Sequence, residues 1–149
     1  MTVIGVIGAG QCDAGVSHQA RRVGELIARR GAALVCGGLG GVMEACCAGA
    51  MENGGVTIGV LPGDDRSQAN AHVAIPIVSD MGHARNFIIV QSAEALIAIA
   101  GEYGTLSEIA IALKLGKPVI CLGSWNQIEG VHNVRTPEEA VEAAFASIV

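Results

Sequence analysis

Three times in this chain a short apolar run stops at glycine and gives way to the periodicity of a helix. The most constraining instance is the stretch from Ala95 to Glu108, ALIAIAGEYGTLSE. Leu96 to Ala100 is wholly apolar and has the length of a parallel strand buried on both faces. Beyond Gly101 and Gly104, the residues Leu106, Ile109, Ala110 and Leu113 recur at i, i+3, i+4 and i+7. The spacing predicts a helix from Thr105, with its apolar stripe facing the sheet. Such a helix start leaves amides without partners and carries a partial positive charge of about half a unit, and nearby glycines let an anion approach. Gly101, Gly104 and Thr105 are therefore candidate phosphate ligands. The T-x-x-E spacing of Thr105 and Glu108 equally fits a capping box, in which those two side chains satisfy the same amides. Both readings remain open at this point.

The other two turns have the same character. Thr2 to Gly8 reads as a first buried strand, followed by Gly8-Ala9-Gly10-Gln11-Cys12-Asp13 and a helix over Ser17 to Arg30, ended by Gly31. Gly8 and Gly10 supply the first two glycines of a dinucleotide fingerprint. Asp13 stands where the third belongs, and the next strand, Ala32 to Cys36, ends in glycine instead of the acidic residue that binds a ribose. A nicotinamide or flavin dinucleotide is disfavoured. The second strand runs into Gly37, Gly38, Gly40 and Gly41, and then into a helix carrying Val42, Met43, Ala45, Cys46 and Ala50 up to Gly54-Gly55. Four glycines in five residues are entropically costly, so either positive φ values or the close approach of a ligand must require them.

Val56 to Leu61 reads as a third strand, Asp64 to Ala71 as a surface loop able to act as a flap, and Ala74 to Val78 as a fourth strand. Met81 to Gln91 reads as a helix with His83 and Arg85 in its first turn. Its Phe87-Ile88-Ile89-Val90 run is apolar round most of the helix, more than one sheet face needs, which predicts a homodimer or larger homo-oligomer. A sixth strand follows at Val119 to Leu122. Thr136, Pro137 and Glu139 then open a last helix expected to run to the C-terminus. Strands alternate with helices throughout the 149 residues. The expected fold is α/β: one Rossmann-like domain over residues 1–149, with a doubly wound, mostly parallel sheet and helices on both faces. Ligands of such sheets gather at the carboxyl ends of strands near a switch in strand order, where all three glycine turns lie.

Composition narrows the ligand. A hydrophobic fraction of 51% with 15% charged residues suits a buried sheet, and a net charge of −5 gives no basic field for a nucleic-acid polymer. A small phosphorylated ligand held locally by backbone amides is still allowed. The amino terminus carries no basic leader and no apolar run is long enough to span a membrane, so a cytoplasmic protein with no membrane partner is expected. The five cysteines, Cys12, Cys36, Cys46, Cys47 and Cys121, contain no C-x-x-C pair. They suggest neither a disulfide framework nor a zinc site, and read as small core residues with no metal. Aromatic residues make up 3% of the chain, leaving Tyr103 and Trp125 to stack on a base.

Taken together, these motifs resemble the LOG proteins, phosphoribohydrolases once misnamed lysine decarboxylases. Gly101, Gly104, Thr105 and Glu108 match that family's Pro-Gly-Gly-x-Gly-Thr-x-x-Glu signature. Gly37, Gly38, Gly41 and Met43 match its Gly-Gly-Gly-x-x-Gly-Leu-Met turn, and His83-Ala84-Arg85 its Met-His-x-Arg-Lys segment. Ala100 replaces the signature proline, Glu102 its second glycine, Cys36 the first glycine of the upstream turn, and Asn86 the lysine. The compact chain is also similar to a LOG-like subgroup that includes the molybdenum-cofactor carrier proteins. The resemblance implies a nucleoside 5'-monophosphate substrate whose N-glycosidic bond is hydrolysed, with Glu108 stabilising the sugar cation and Arg85 orienting substrate. The subgroup implies instead a nucleotide or phosphate-bearing cofactor that is bound without cleavage; no other cofactor is expected.

Overall fold

The computed structural model describes residues 1–123 and 125–148. Among them, seven strands form one sheet in the order β4-β3-β2-β1-β5-β6-β7, and every neighbouring pair is parallel. The strands are β1 (Val3–Gly8), β2 (Ala33–Cys36), β3 (Val56–Leu61), β4 (Ile75–Val78), β5 (Ala95–Ile99), β6 (Val119–Leu122) and β7 (His132–Val134). The helices are α1 (Ala14–Arg29), α2 (Val42–Glu52), α3 (Arg85–Ser92), α4 (Tyr103–Lys114) and α5 (Pro137–Ala146). The doubly wound parallel fold expected from the sequence is thus observed. No described helix is long and apolar enough to cross a membrane.

The burial pattern explains the layers. β2, β5 and β6 are buried along their whole lengths, because each carries apolar side chains to both faces. Ile4, Val6, Leu34, Ile97, Ile99 and Ile120 pack on one face against Ala20, Val23 and Ile27 of α1, Cys46 of α2 and Ala144 of α5. On the other face Ile7, Val35, Leu96 and Ala98 pack against Ile89 and Val90 of α3 and Ile109 and Ala112 of α4. Each such side chain taken fully out of water contributes about 1.5–3 kcal/mol. The chain winds outward from β1 to β4 and then returns to place β5 against the other side of β1, in register from Ile4 with Ala95 to Gly8 with Ile99. The carboxyl ends of β1 and β5 therefore flank the switch in strand order.

Several boundaries differ from the sequence reading for local reasons. α1 begins at Ala14, three residues before Ser17, because the Asp13 side chain accepts a hydrogen bond from the Val16 amide at 2.8 Å and caps the helix. The segment from Met81 to Gln91 is not one helix. A 3-10 turn over Gly82–Ala84 leads into α3, and His83 lies in that turn. α5 stops at Ala146, with Ser147 as its C-cap, short of the C-terminus. β7 was not anticipated, since His132-Asn133-Val134 is a three-residue edge strand with mostly exposed polar side chains. The loop following β3 is pinned and does not form a free flap. The Asn70 amide donates to Gly38 O at 2.9 Å, and the Asn70 side chain donates to Leu39 O at 2.8 Å.

Candidate functional site

A cavity of about 530 Å³ opens at the switch point. The first turn contributes Gly8, Gly10 and Gln11, the second Gly37 and Met43, and the third Glu102, Gly104, Thr105 and Glu108; His83, Arg85 and Asn86 close the remaining side. Gly8, Gly10, Gly37, Gly104, Thr105, Arg85 and Glu108 are therefore brought together as the sequence suggested. Gly38, Gly40, Gly41 and Gly101 do not line the cavity. Their absence of side chains serves close backbone approaches: a Cβ on Gly38 would come 2.8 Å from Leu61, and one on Gly41 would lie 2.3 Å from the Ala9 carbonyl. Tyr103 and Trp125 are also absent from the lining, and Tyr103 is 83% exposed, so neither is placed to stack on a ligand there.

The third turn departs from expectation in a way that matters chemically. α4 starts at Tyr103 rather than Thr105, with Glu102 at the N-cap and no side-chain capping bond. No Thr105–Glu108 capping box forms, because Thr105 already lies inside the first turn and Glu108 lies in the second. The first hydrogen bond of the helix runs from the Leu106 amide to Glu102 O. The amides of Gly104 and Thr105 thus retain their capacity to bind an anion at the cavity wall. The turn is built from two consecutive left-handed residues, Ala100 at φ 51° and Gly101 at φ 109°. A Cβ on Gly101 would lie 2.1 Å from Thr105 Oγ1, so only glycine lets the turn close onto the helix.

Arg85 is 8% exposed and is held from two sides. Its Nε donates to the Val60 carbonyl at 3.0 Å, and its Nη1 donates to Asn86 Oδ1. Asn86 Nδ2 in turn donates to Ser107 Oγ at 3.2 Å, and Ser107 Oγ donates to Gly104 O at 2.7 Å. This chain of polar contacts fastens the end of β3 to the first turn of α4 across the cavity. Gly37 makes room for it: a Cβ there would sit 2.7 Å from Arg85 Nη2. Asn86 appeared in the sequence only as a departure from a family lysine. Its bridging role could not be found from spacing, because it links its neighbour Arg85 to Ser107 of α4, an element distant in the chain.

Glu108 is also 8% exposed, yet among the described residues it makes no ion pair and no hydrogen bond. Burial raises its pKa to about 8, and the nearby positive charge of Arg85 only partly opposes that rise. Burial lowers the Arg85 pKa, against the support of Glu108 and of Cys36, and the guanidinium keeps its charge. At neutral pH the wall therefore presents one cation, one protonated carboxyl and a set of free amides. A protonated carboxyl donates a hydrogen bond and does not repel an anion. Glu102, by contrast, brings an exposed carboxylate to the rim beside the Gly104 amide.

The comparisons with known proteins agree with this architecture. A protein of Archaeoglobus fulgidus is 53% identical over 146 residues, which cover 98% of this chain and 96% of the relative. The molybdenum cofactor binding protein of the phototrophic bacterium Rippkaea orientalis superposes with a TM-score of 0.94 at 36% identity, covering 99% of this chain and 98% of its own. The molybdenum cofactor carrier protein of Chlamydomonas reinhardtii superposes with a TM-score of 0.89 at 35% identity, covering 98% and 97%. The SLOG cluster4 family profile matches residues 1–146, from the first strand to the last residue of α5. With its glycine turns, its parallel sheet and its switch-point cavity, the chain belongs to the SLOG cluster4 family.

Proposed function

We propose that the cavity binds a small phosphate-bearing cofactor of the molybdenum-cofactor type and holds it without cleaving it. The observation that carries this reading is the convergence on one cavity of Arg85, the free Gly104 and Thr105 amides and the buried Glu108 carboxyl, whose pKa burial raises to about 8. Hydrolysis of an N-glycosidic bond calls for a carboxylate that stabilises a developing sugar cation, and a neutral carboxyl does not supply that charge. It does supply a donor. The phosphate would sit against the Gly104 and Thr105 amides, with Arg85 gripping it and the Glu108 proton completing the set. Gly8, Gly10 and Gly37 would allow close approach from the opposite wall, while Gly38, Gly40, Gly41 and Gly101 hold the turns in shape. A volume of about 530 Å³ lies within the range of pockets that enclose a cofactor-sized molecule. Two proteins that superpose over nearly their whole length are described as binding or carrying this cofactor.

The hydrolase reading keeps one specific support, since a carboxyl with a pKa near neutrality can act as an acid toward a departing base. One experiment separates the two. The protein is incubated with molybdenum cofactor released from a purified molybdoenzyme, and separately with AMP, GMP, CMP and UMP. Retention of the pterin on gel filtration, its transfer to a cofactor-free molybdoenzyme and no release of base are expected. Release of free base that disappears in Glu108→Gln would establish the hydrolase instead.

A further inference from the structure

Immediately behind Gly37, three of the five cysteines meet at one point. Cys36 ends β2, Cys46 and Cys47 are consecutive on α2, and the three Sγ atoms all lie within 4.8 Å of one another. Cys36 and Cys47 Sγ are 3.5 Å apart. All three residues are completely buried. The reading of these residues as small core side chains accounts for their burial but not for their convergence, since consecutive helix residues point about 100° apart and usually serve different neighbours. Within this otherwise apolar core two backbone groups reach the sulfurs. The Gly38 amide donates to Cys36 Sγ at 3.4 Å, and Cys46 Sγ donates to Met43 O at 3.3 Å.

We propose that Cys36, Cys46 and Cys47 form a three-sulfur site for one Cu(I) ion, seated against the inner side of the cavity wall. Sulfur ligands select soft cations, and structural zinc is almost always four-coordinate. Among the described residues no histidine, carboxylate or fourth cysteine joins the group. Cu(I) needs no fourth donor. With metal–sulfur bonds of about 2.3 Å, three coplanar sulfurs lie about 4.0 Å apart, so the trio closes on the ion with small side-chain rotations. The geometry favours one member as the first ligand: Cys36 Sγ accepts from the Gly38 amide at 3.4 Å and lies 3.5 Å from Cys47 Sγ. The metal enters as Cu(I) and leaves as Cu(I), so no electron moves, and the displaced thiol protons pass to solvent. Three thiolates on Cu(I) leave two negative charges, of which the guanidinium of Arg85, close enough to interact with Cys36, offsets one.

The site is independent of the cofactor reading, and its test uses no cofactor. The reduced full chain is titrated with Cu(I) under anaerobic conditions against bicinchoninate as a competing ligand, and the loaded protein is measured by X-ray absorption. One Cu(I) per chain withheld from the chelator, with three sulfur neighbours, is expected. Cys36→Ser and Cys47→Ser should each weaken retention at least about 100-fold with an unchanged circular dichroism spectrum, whereas Cys12→Ser should leave it intact. If those variants do not fold, the sulfur count on the wild-type chain decides. The proposal is overturned by loss of all copper to the chelator or by two or fewer sulfur neighbours.

Discussion

Replacing Glu108 by glutamine should stabilise the protein, and do so in a pH-dependent way. The folded protein keeps the Glu108 proton up to about pH 8, whereas the unfolded chain releases it near the ordinary value of 4.5. Between those two values the native state binds one proton more than the unfolded state. The stability contributed by this group is therefore full below 4.5, is lost progressively as pH rises toward 8, and changes no further above it. Each pH unit in that window removes about 1.4 kcal/mol, which accumulates to about 3 kcal/mol at pH 7. Because the group is 8% exposed, solvent screening discounts this little. Glu108→Gln keeps the size and a hydrogen-bond donor but cannot titrate, so it avoids the loss. For a chain of this length a gain of about 3 kcal/mol raises Tm by roughly 5–10 °C. Melting curves of both proteins at half-unit steps from pH 4.5 to 9 should converge at the acid end and separate steadily up to pH 8. Parallel curves, or a variant less stable than wild type at pH 8, would refute a buried protonated carboxyl. The same logic applies to binding: affinity for inorganic phosphate should fall in the wild type as pH rises through 8, and stay flatter in Glu108→Gln.

Three further outcomes are expected. Arg85→Lys retains the charge but loses the fork that reaches Val60 O and Asn86 Oδ1; phosphate affinity measured by calorimetry should drop at least about 10-fold, so that charge alone does not rescue the site. Glu102→Gln removes a carboxylate from the rim and should tighten phosphate binding roughly threefold to fivefold at low ionic strength, an effect erased by added salt. Light scattering at micromolar concentration should show a dimer or larger, because Phe87 of α3 remains 49% exposed and the edge strand β4 exposes Ile75 and Ile77 at 48% and 42%; Phe87→Glu should return a monomer, and a monomeric wild type would remove the argument.

What could be read in the sequence depended on whether the signal was local. The strands buried on both faces announce themselves because an apolar run of four to six residues is enough to identify them, and the glycine turns mark their ends. β7 was invisible for the complementary reason: its residues face solvent at the sheet edge, so no apolar pattern is required of them. The start of α4 was misplaced by two residues because Glu102 and Gly104 look like turn residues, while the free amides that matter are set by backbone geometry. Ile89 and Val90 are covered by their own sheet, as one face of the apolar run was expected to be, while Phe87 in the remainder is left exposed. The Asn86 bridge and the meeting of Cys36 with Cys46 and Cys47 join residues from different elements. Only the packing of α2 over β2, and of α4 against α3, could reveal them.

The left-handed pair at Ala100 and Gly101 bears on how this turn relates to the Pro-Gly-Gly turn it resembles. Proline has its φ fixed near −65°, so it cannot occupy position 100 while the backbone there holds φ 51°. Alanine tolerates that conformation at a cost of about 1–2 kcal/mol. A single change of Ala100 to proline is therefore incompatible with the backbone observed there, and the turn that presents the Gly104 and Thr105 amides to the cavity would have to be rebuilt from position 100 onward.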